Sequence, residues 1–226
     1  MNMKYLFFDI DGTLLNSGGA GKQAMLAALE KHLHDGSLLE GYCFAGKTDT
    51  QIIQDMVVRS ETPGKLVSEM VQRIAQSYVT NLANTLPETP GFRVYPDVRR
   101  VLEACRAQPH FDLALLTGNL HQGARLKLEH ADLWNYFPWG VFGDISEDRV
   151  RLAQAAHKKL IRKYGQIQAR DIFIIGDTAN DVRCGKAIGA TTVALVSDFE
   201  PEVRLREQAP DYVLYSFREL CDVWNV

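Results

Sequence analysis

Cysteine is scarce and scattered in this sequence. Its four residues, Cys43, Cys105, Cys184 and Cys221, form no Cys-x-x-Cys pair. That excludes a disulfide framework and a thiolate zinc site, and fits a reducing compartment. Charge of one sign is also missing: 25 Lys and Arg stand against 28 Asp and Glu, for a net charge of −3. A nucleic-acid partner would call for a basic excess, so none is expected. Local basic pairs such as Arg99-Arg100 and Lys158-Lys159 read as solvated helix faces. No apolar run approaches the roughly 20 residues that span a bilayer. The chain enters a strand directly, without a signal-type apolar region, so the expected setting is the cytoplasm with no membrane partner. The six histidines show no ligand spacing. Gly18-Gly19-Ala20-Gly21-Lys22 lacks the Ser or Thr that would follow the lysine of a nucleotide-binding P-loop. It reads as a hinge.

What is present is an ordinary globular composition, 46% hydrophobic and 23% charged, organised around Phe7-Phe8-Asp9-Ile10-Asp11-Gly12-Thr13. An apolar run, Tyr5 to Phe8, delivers two carboxylates two residues apart, and Gly12-Thr13 then breaks the strand. Charge at the end of a buried strand is costly unless something compensates it. A hard cation such as Mg²⁺ suits paired carboxylate oxygens. The plainer reading is an Asp-Gly hairpin turn, but no second alternating strand follows.

Beyond this stretch, apolar spacing predicts helices over 20–34 and 50–59, and a long one opened by Thr62-Pro63. No strand interrupts them before Pro87, Pro90 and Gly91. From Pro96 onward helix and strand alternate: helices over 97–107, 122–130, 147–164 and 180–188, and strands over 111–116, 139–142, 172–175 and 192–196. A last short strand and helix follow Asp211. Alternation with nearly unbroken apolar strands predicts an α/β fold, a doubly wound parallel sheet with a Rossmann-like core. The expected division is a core of residues 1–16 and 90–226 with an inserted helical cap of residues 17–89.

Three of the predicted strands end in polar residues: Asp9-Ile10-Asp11, Thr117-Gly118-Asn119, and Gly176-Asp177-Thr178-Ala179-Asn180-Asp181. In a parallel sheet these ends converge on one edge. Together they offer carboxylates for a cation, and a hydroxyl with backbone N–H groups for an anion.

At these residues the chain resembles the haloacid dehalogenase superfamily, whose first motif is Asp-x-Asp-Gly-Thr. Within it the pattern is most similar to the branch of phosphoglycolate phosphatases and β-phosphoglucomutases with a helical cap. The resemblance implies a Mg²⁺-dependent phosphatase that hydrolyses a small phosphorylated metabolite through an aspartyl-phosphate. Asp9 would be the nucleophile, and Asp11 the general acid/base that also gives its backbone carbonyl to Mg²⁺. Thr117, Gly118 and Asn119 would hold phosphate oxygens. Asp177 would join Asp9 and Asp11 at the metal. Asp181 would sit behind the metal or position the cation-bearing side chain. A neighbouring carboxylate is expected to raise the pKa of Asp11. Dehalogenases lack the second aspartate and phosphonatases carry a small residue there, so Asp11 favours a phosphatase or a phosphomutase.

The third motif departs from the family pattern, with no Lys-Pro ahead of Gly176-Asp177. Arg149 is the candidate cation, Arg151 and Lys158 are alternatives, and a surface pairing of Arg149 with Glu147 or Asp148 is the plain reading. Phe44-Ala45-Gly46-Lys47-Thr48 resembles a cap loop that reaches toward substrate, which makes Lys47 a candidate for reading the leaving group; an interhelical turn is the other reading. Two further functions stay open: a phosphomutase of the β-phosphoglucomutase type, and a receiver-like phospho-acceptor domain. The long insert and the motif order argue against the receiver.

Overall fold

The computed structural model describes residues 2–224. Its centre is strand β1 (Lys4–Phe8), whose side chains alternate between two buried layers. Strands β2 (Leu15–Ser17) and β3 (Phe92–Val94) form a separate antiparallel pair, with Leu15 opposite Val94 and Ser17 opposite Phe92. The remaining strands are β4 (Phe111–Leu116), β5 (Gly140–Val141), β6 (Ile172–Gly176), β7 (Thr191–Leu195) and β8 (Tyr212–Leu214). They join β1 in a parallel sheet of order β5-β4-β1-β6-β7-β8.

Register explains the two-sided burial. Leu6 lies between Leu113 and Phe173, and Phe8 between Leu115 and Ile175. These side chains pack on one face against helices α4 (Val98–Arg106), α5 (His121–His130) and α9 (Leu220–Trp224). Tyr5, Phe7, Ile172 and Ile174 fill the other face against α6 (Arg149–Tyr164) and α7 (Ala179–Ala187). A short α8 (Glu202–Glu207) lies between β7 and β8. The chain runs from β1 to β4 and β5 on one side, then to β6, β7 and β8 on the other. The carboxyl ends of β1, β4 and β6 therefore flank the switch point where ligands bind in such sheets.

Helices α1 (Ala20–Leu33), α2 (Asp49–Arg59) and α3 (Val67–Thr85) pack around their own apolar cluster, with Met25, Leu29, Ile53, Met56, Ile74 and Leu82 fully buried. Both passages between this bundle and the sheet run through the β2–β3 pair. The long third helix starts later than Thr62-Pro63 predicts. Thr62 directs its hydroxyl to Ser60 (2.8 Å) instead of a helix N–H, and a 3₁₀ turn over Gly64–Leu66 precedes α3. The strand expected over 139–142 shrinks to Gly140–Val141, because this edge meets only Leu115 and Leu116 of β4.

Candidate active site

Asp9 extends β1 by one rung, donating its N–H to Ile175 O (3.0 Å). Its carboxylate is buried, and Oδ1 has no hydrogen-bond partner. Gly12 then turns the chain with φ +82°, and the Asp177 carboxylate lies where a Cβ would stand. No other residue fits both that dihedral and that approach.

The end of β4 supplies the opposite wall. Thr117 is fully buried, and its Oγ1 accepts from Asn119 Nδ2 (2.9 Å). Asn119 Nδ2 also donates to Asp11 Oδ2 (3.0 Å), while Asn119 Oδ1 accepts from Lys127 Nζ (2.6 Å). Lys127 Nζ donates to Asp11 Oδ2 as well (2.6 Å), and Ser17 Oγ donates to Asp11 Oδ1 (2.9 Å). The expected rise in the pKa of Asp11 is corrected by these contacts. Burial alone would raise it, but Lys127, Asn119 and Ser17 outweigh burial and hold it below its ordinary value.

The end of β6 brings in Asp177 and Asp181. Thr178 caps α7 in a reciprocal box with Asp181, donating Oγ1–H to Asp181 Oδ2 (2.6 Å). The other oxygen of Asp181 takes Arg149, whose Nη2 also reaches Asp9 Oδ2 (3.3 Å). Arg149 is the first residue of α6 and is 7% exposed, whereas Arg151 and Lys158 face solvent. The surface pairing with Glu147 or Asp148 does not form; Asp148 instead caps α6 through Val150 N.

Oxygens of Asp9, Asp177 and Asp181 lie within 4.8 Å of one another. Burial holds the Asp9 carboxyl above its ordinary pKa, with Arg149 opposing. Burial and the charges of Asp181 and Asp9 push Asp177 well above its own, despite hydrogen bonds from Ser197 and Thr13. Crowded, buried carboxylates with one bare oxygen fit a hard divalent cation. The Asp11 side chain is not in this cluster.

A cavity of about 460 Å³ opens above these groups. Its lining includes Asp9, Asp11, Gly118, Asn119, Arg149 and Asp177 from the sheet domain and Lys22, Met25, Phe44, Ile52 and Tyr78 from the helical segment, with Phe199 after β7. Lys47 also borders the cavity, but its ammonium is turned to Tyr42 Oη (2.9 Å) and Asp55 Oδ2 (3.0 Å) within the helical bundle.

Lys127, Ser197 and Asp49 are site residues that sequence reasoning passed over. Lys127 had a readable signal: it shares the buried stripe of α5 with Gly123, Ala124 and Leu128. A lysine on such a stripe needs a charged partner.

The cavity thus gathers acidic groups, the loop after β4 and two buried cations, Arg149 and Lys127, at the switch point of the sheet. The chain belongs to the haloacid dehalogenase-like hydrolase family, whose model matches residues 6–195. It is 25% identical over 231 residues to the phosphoglycolate phosphatase of Aliivibrio fischeri, covering 100% of this chain and 98% of that one. A haloacid dehalogenase-like hydrolase from Streptococcus pneumoniae shares the fold, with TM-score 0.71, 19% identity and 98% of each chain covered. So does a candidate β-phosphoglucomutase from Thermotoga maritima, with TM-score 0.62, 18% identity and 99% of each chain covered. The family and the names of these relatives support a phosphatase hydrolase. Among the described residues no helix is long and apolar enough to cross a membrane.

Proposed function

We propose that the protein is a Mg²⁺-dependent phosphatase of small phosphorylated metabolites, similar to phosphoglycolate phosphatases, which works through an aspartyl-phosphate on Asp9. One observation carries this reading: the unpartnered Asp9 Oδ1, buried at the floor of the cavity among Asp177, Asp181 and Arg149. Asp9, Asp177 and the backbone carbonyl of Asp11 would hold the cation, since both oxygens of Asp181 are engaged by Arg149 and Thr178. When bound, Mg²⁺ supplies positive charge that offsets the repulsion between a carboxylate and a phosphate dianion.

The remaining chemistry falls to side chains. An Asp9 oxygen attacks phosphorus as the bond to the leaving oxygen breaks, and Asp11 gives that oxygen its proton. Water then attacks the acyl phosphate, Asp11 takes the water's proton, and phosphate leaves with the Asp9 carboxylate restored. Thr117, Gly118 and Asn119 cradle phosphate oxygens, while Arg149 offsets charge from the Asp9 side. With Lys127 against it Asp11 rests ionised, as the second half-reaction requires. A phosphate dianion placed beside it raises its pKa and lets it carry the proton of the first half. The four cysteines are free, which supports a reducing cytoplasmic setting.

Asp9→Asn tests the reading. Activity against a panel of phosphorylated metabolites with Mg²⁺ should fall by a factor of at least about 10² while the fold persists. A variant that keeps turning over at more than roughly a hundredth of the wild-type rate rules out covalent catalysis at Asp9. Release of free phosphate, as against an isomeric sugar phosphate, separates the phosphatase from a mutase.

A further inference from the structure

We propose that Asp49 is a positioning residue that couples closure of the helical cap to the geometry of the phosphate loop, residues 117–119. The inference rests on the phosphatase reading above. Asp49 opens α2, directly after its capping residue Thr48, and so belongs to the helical bundle. Yet it is held by the core. Its N–H donates to Gly118 O (2.8 Å), and its Oδ2 accepts from Leu120 N–H (2.9 Å).

These two contacts bracket Asn119, whose side chain bonds Thr117, Asp11 and Lys127 at once. One residue of the cap thus grips the loop on both sides of the group that orients the acid/base and its cation. Leu120 caps α5, so its N–H has no partner inside that helix. The Asp49 carboxylate supplies the partner and meets the positive end of the helix dipole. The approach depends on Gly118, where a Cβ would stand 2.6 Å from Lys47 O.

Neighbouring bonds make a seam. Thr50 Oγ1 donates to Gly143 O (2.8 Å), Thr48 Oγ1 to Glu147 O (3.1 Å), and Asn180 Nδ2 to Gly46 O (2.6 Å). Of these bundle residues, Asp49 is the one that meets the loop with a charged group. Burial pushes its carboxyl up to about 6, against the pull of Lys127 and the Leu120 N–H. A charge kept buried at such cost is held by specific partners. When the bundle swings away, the Leu120 N–H and the carboxylate lose each other, and Asn119 loses the brace on both flanks.

The test compares Asp49→Ala and Asp49→Asn with the wild type. The measurements are steady-state turnover of p-nitrophenyl phosphate, inhibition by orthovanadate, thermal melting, and amide exchange at Leu120. Asp49→Ala should lower kcat and raise the orthovanadate inhibition constant, each by roughly tenfold to a hundredfold, and speed exchange at Leu120. Asp49→Asn keeps an acceptor oxygen and should stay within about fivefold of the wild type. The proposal fails if Asp49→Ala leaves kcat, vanadate inhibition and Leu120 exchange unchanged. It also fails if both variants lose activity only in step with a collapse of the melting temperature. A wild type that turns over no phosphate monoester counts instead against the phosphatase reading.

Discussion

Lys127 shows how much of a site can hang on one residue that carries no motif. The residue is 3% exposed, and its ammonium bonds both Asp11 and Asn119. Removing one partner of a buried ion pair leaves the other charge stranded, a cost of about 3–5 kcal/mol at full burial. The Asp11 side chain keeps 31% exposure, so the penalty here is smaller. Lys127→Met keeps most of the volume, and should leave a folded protein whose kcat/KM on phosphate monoesters is down by about 10²-fold, because Asp11 is no longer aimed. Wild-type kinetics in that variant would show that Asn119 and Ser17 orient Asp11 unaided. Arg149 is the complementary case. Arg149→Ala should cut kcat/KM sharply and Arg149→Lys should recover part of it, since the charge survives while the planar guanidinium, whose Nη2 meets both Asp9 and Asp181, does not. If both variants match the wild type, the phosphate end needs no second cation.

Elements with a strong apolar period were readable in the chain, and short or context-made ones were not. Strand β4 falls on the predicted residues because six consecutive side chains are buried on both faces of the sheet. The strand ends that carry Asp9, Asp11 and Asp177 could be placed on one edge from the sequence, because parallel strands bring their carboxyl ends together, but the turn of the Asp11 side chain toward Lys127, away from the Asp9–Asp177–Asp181 cluster, could not. By contrast β2, β3 and α8 are three to six residues long, and pairing between Ser17 and Phe92 is a tertiary event with no local signature. Lys127 and Asp49 were missed for the same reason: their partners lie 116 and 71 residues away in sequence. The box at the start of α7 ties such an element to the site. Thr178→Ala removes a cap worth about 1 kcal/mol, which in a chain of this length shifts the melting point by about 2–4 °C. It also leaves Asp181 Oδ2, the oxygen opposite the one that meets Arg149, with only the backbone N–H of residue 178, so KM should rise along with the loss of stability. A fall in stability with KM unchanged would mean that Arg149 holds Asp181 in place without the cap.

Carboxyls such as Asp11, Asp55 and Asp211 titrate below their ordinary range, whereas three buried ones, Asp9, Asp49 and Asp177, titrate above it. The unfolded chain sheds these protons near pH 4 and the folded one holds them to higher pH. Between those points the native state binds more protons, so these groups make stability fall as pH rises. For Asp49, the interval from 3.8 to about 6 corresponds to at most about 3 kcal/mol. Mg²⁺ favours the ionised forms of its own ligands and binds only the folded site, so its stabilisation should grow with pH. Asp49 lies outside the three-carboxylate cluster and should keep its slope in saturating Mg²⁺. Urea unfolding between pH 4 and 8, in chelator and in Mg²⁺, for the wild type and for Asp49→Asn, separates the contributions. The wild type should lose stability relative to Asp49→Asn as pH rises, in both conditions. The difference between Mg²⁺ and chelator should be small near pH 4 and large near pH 8. A Mg²⁺ effect independent of pH would mean that the cation binds away from Asp9 and Asp177. A wild-type curve parallel to that of Asp49→Asn would mean that water reaches the Asp49 carboxylate.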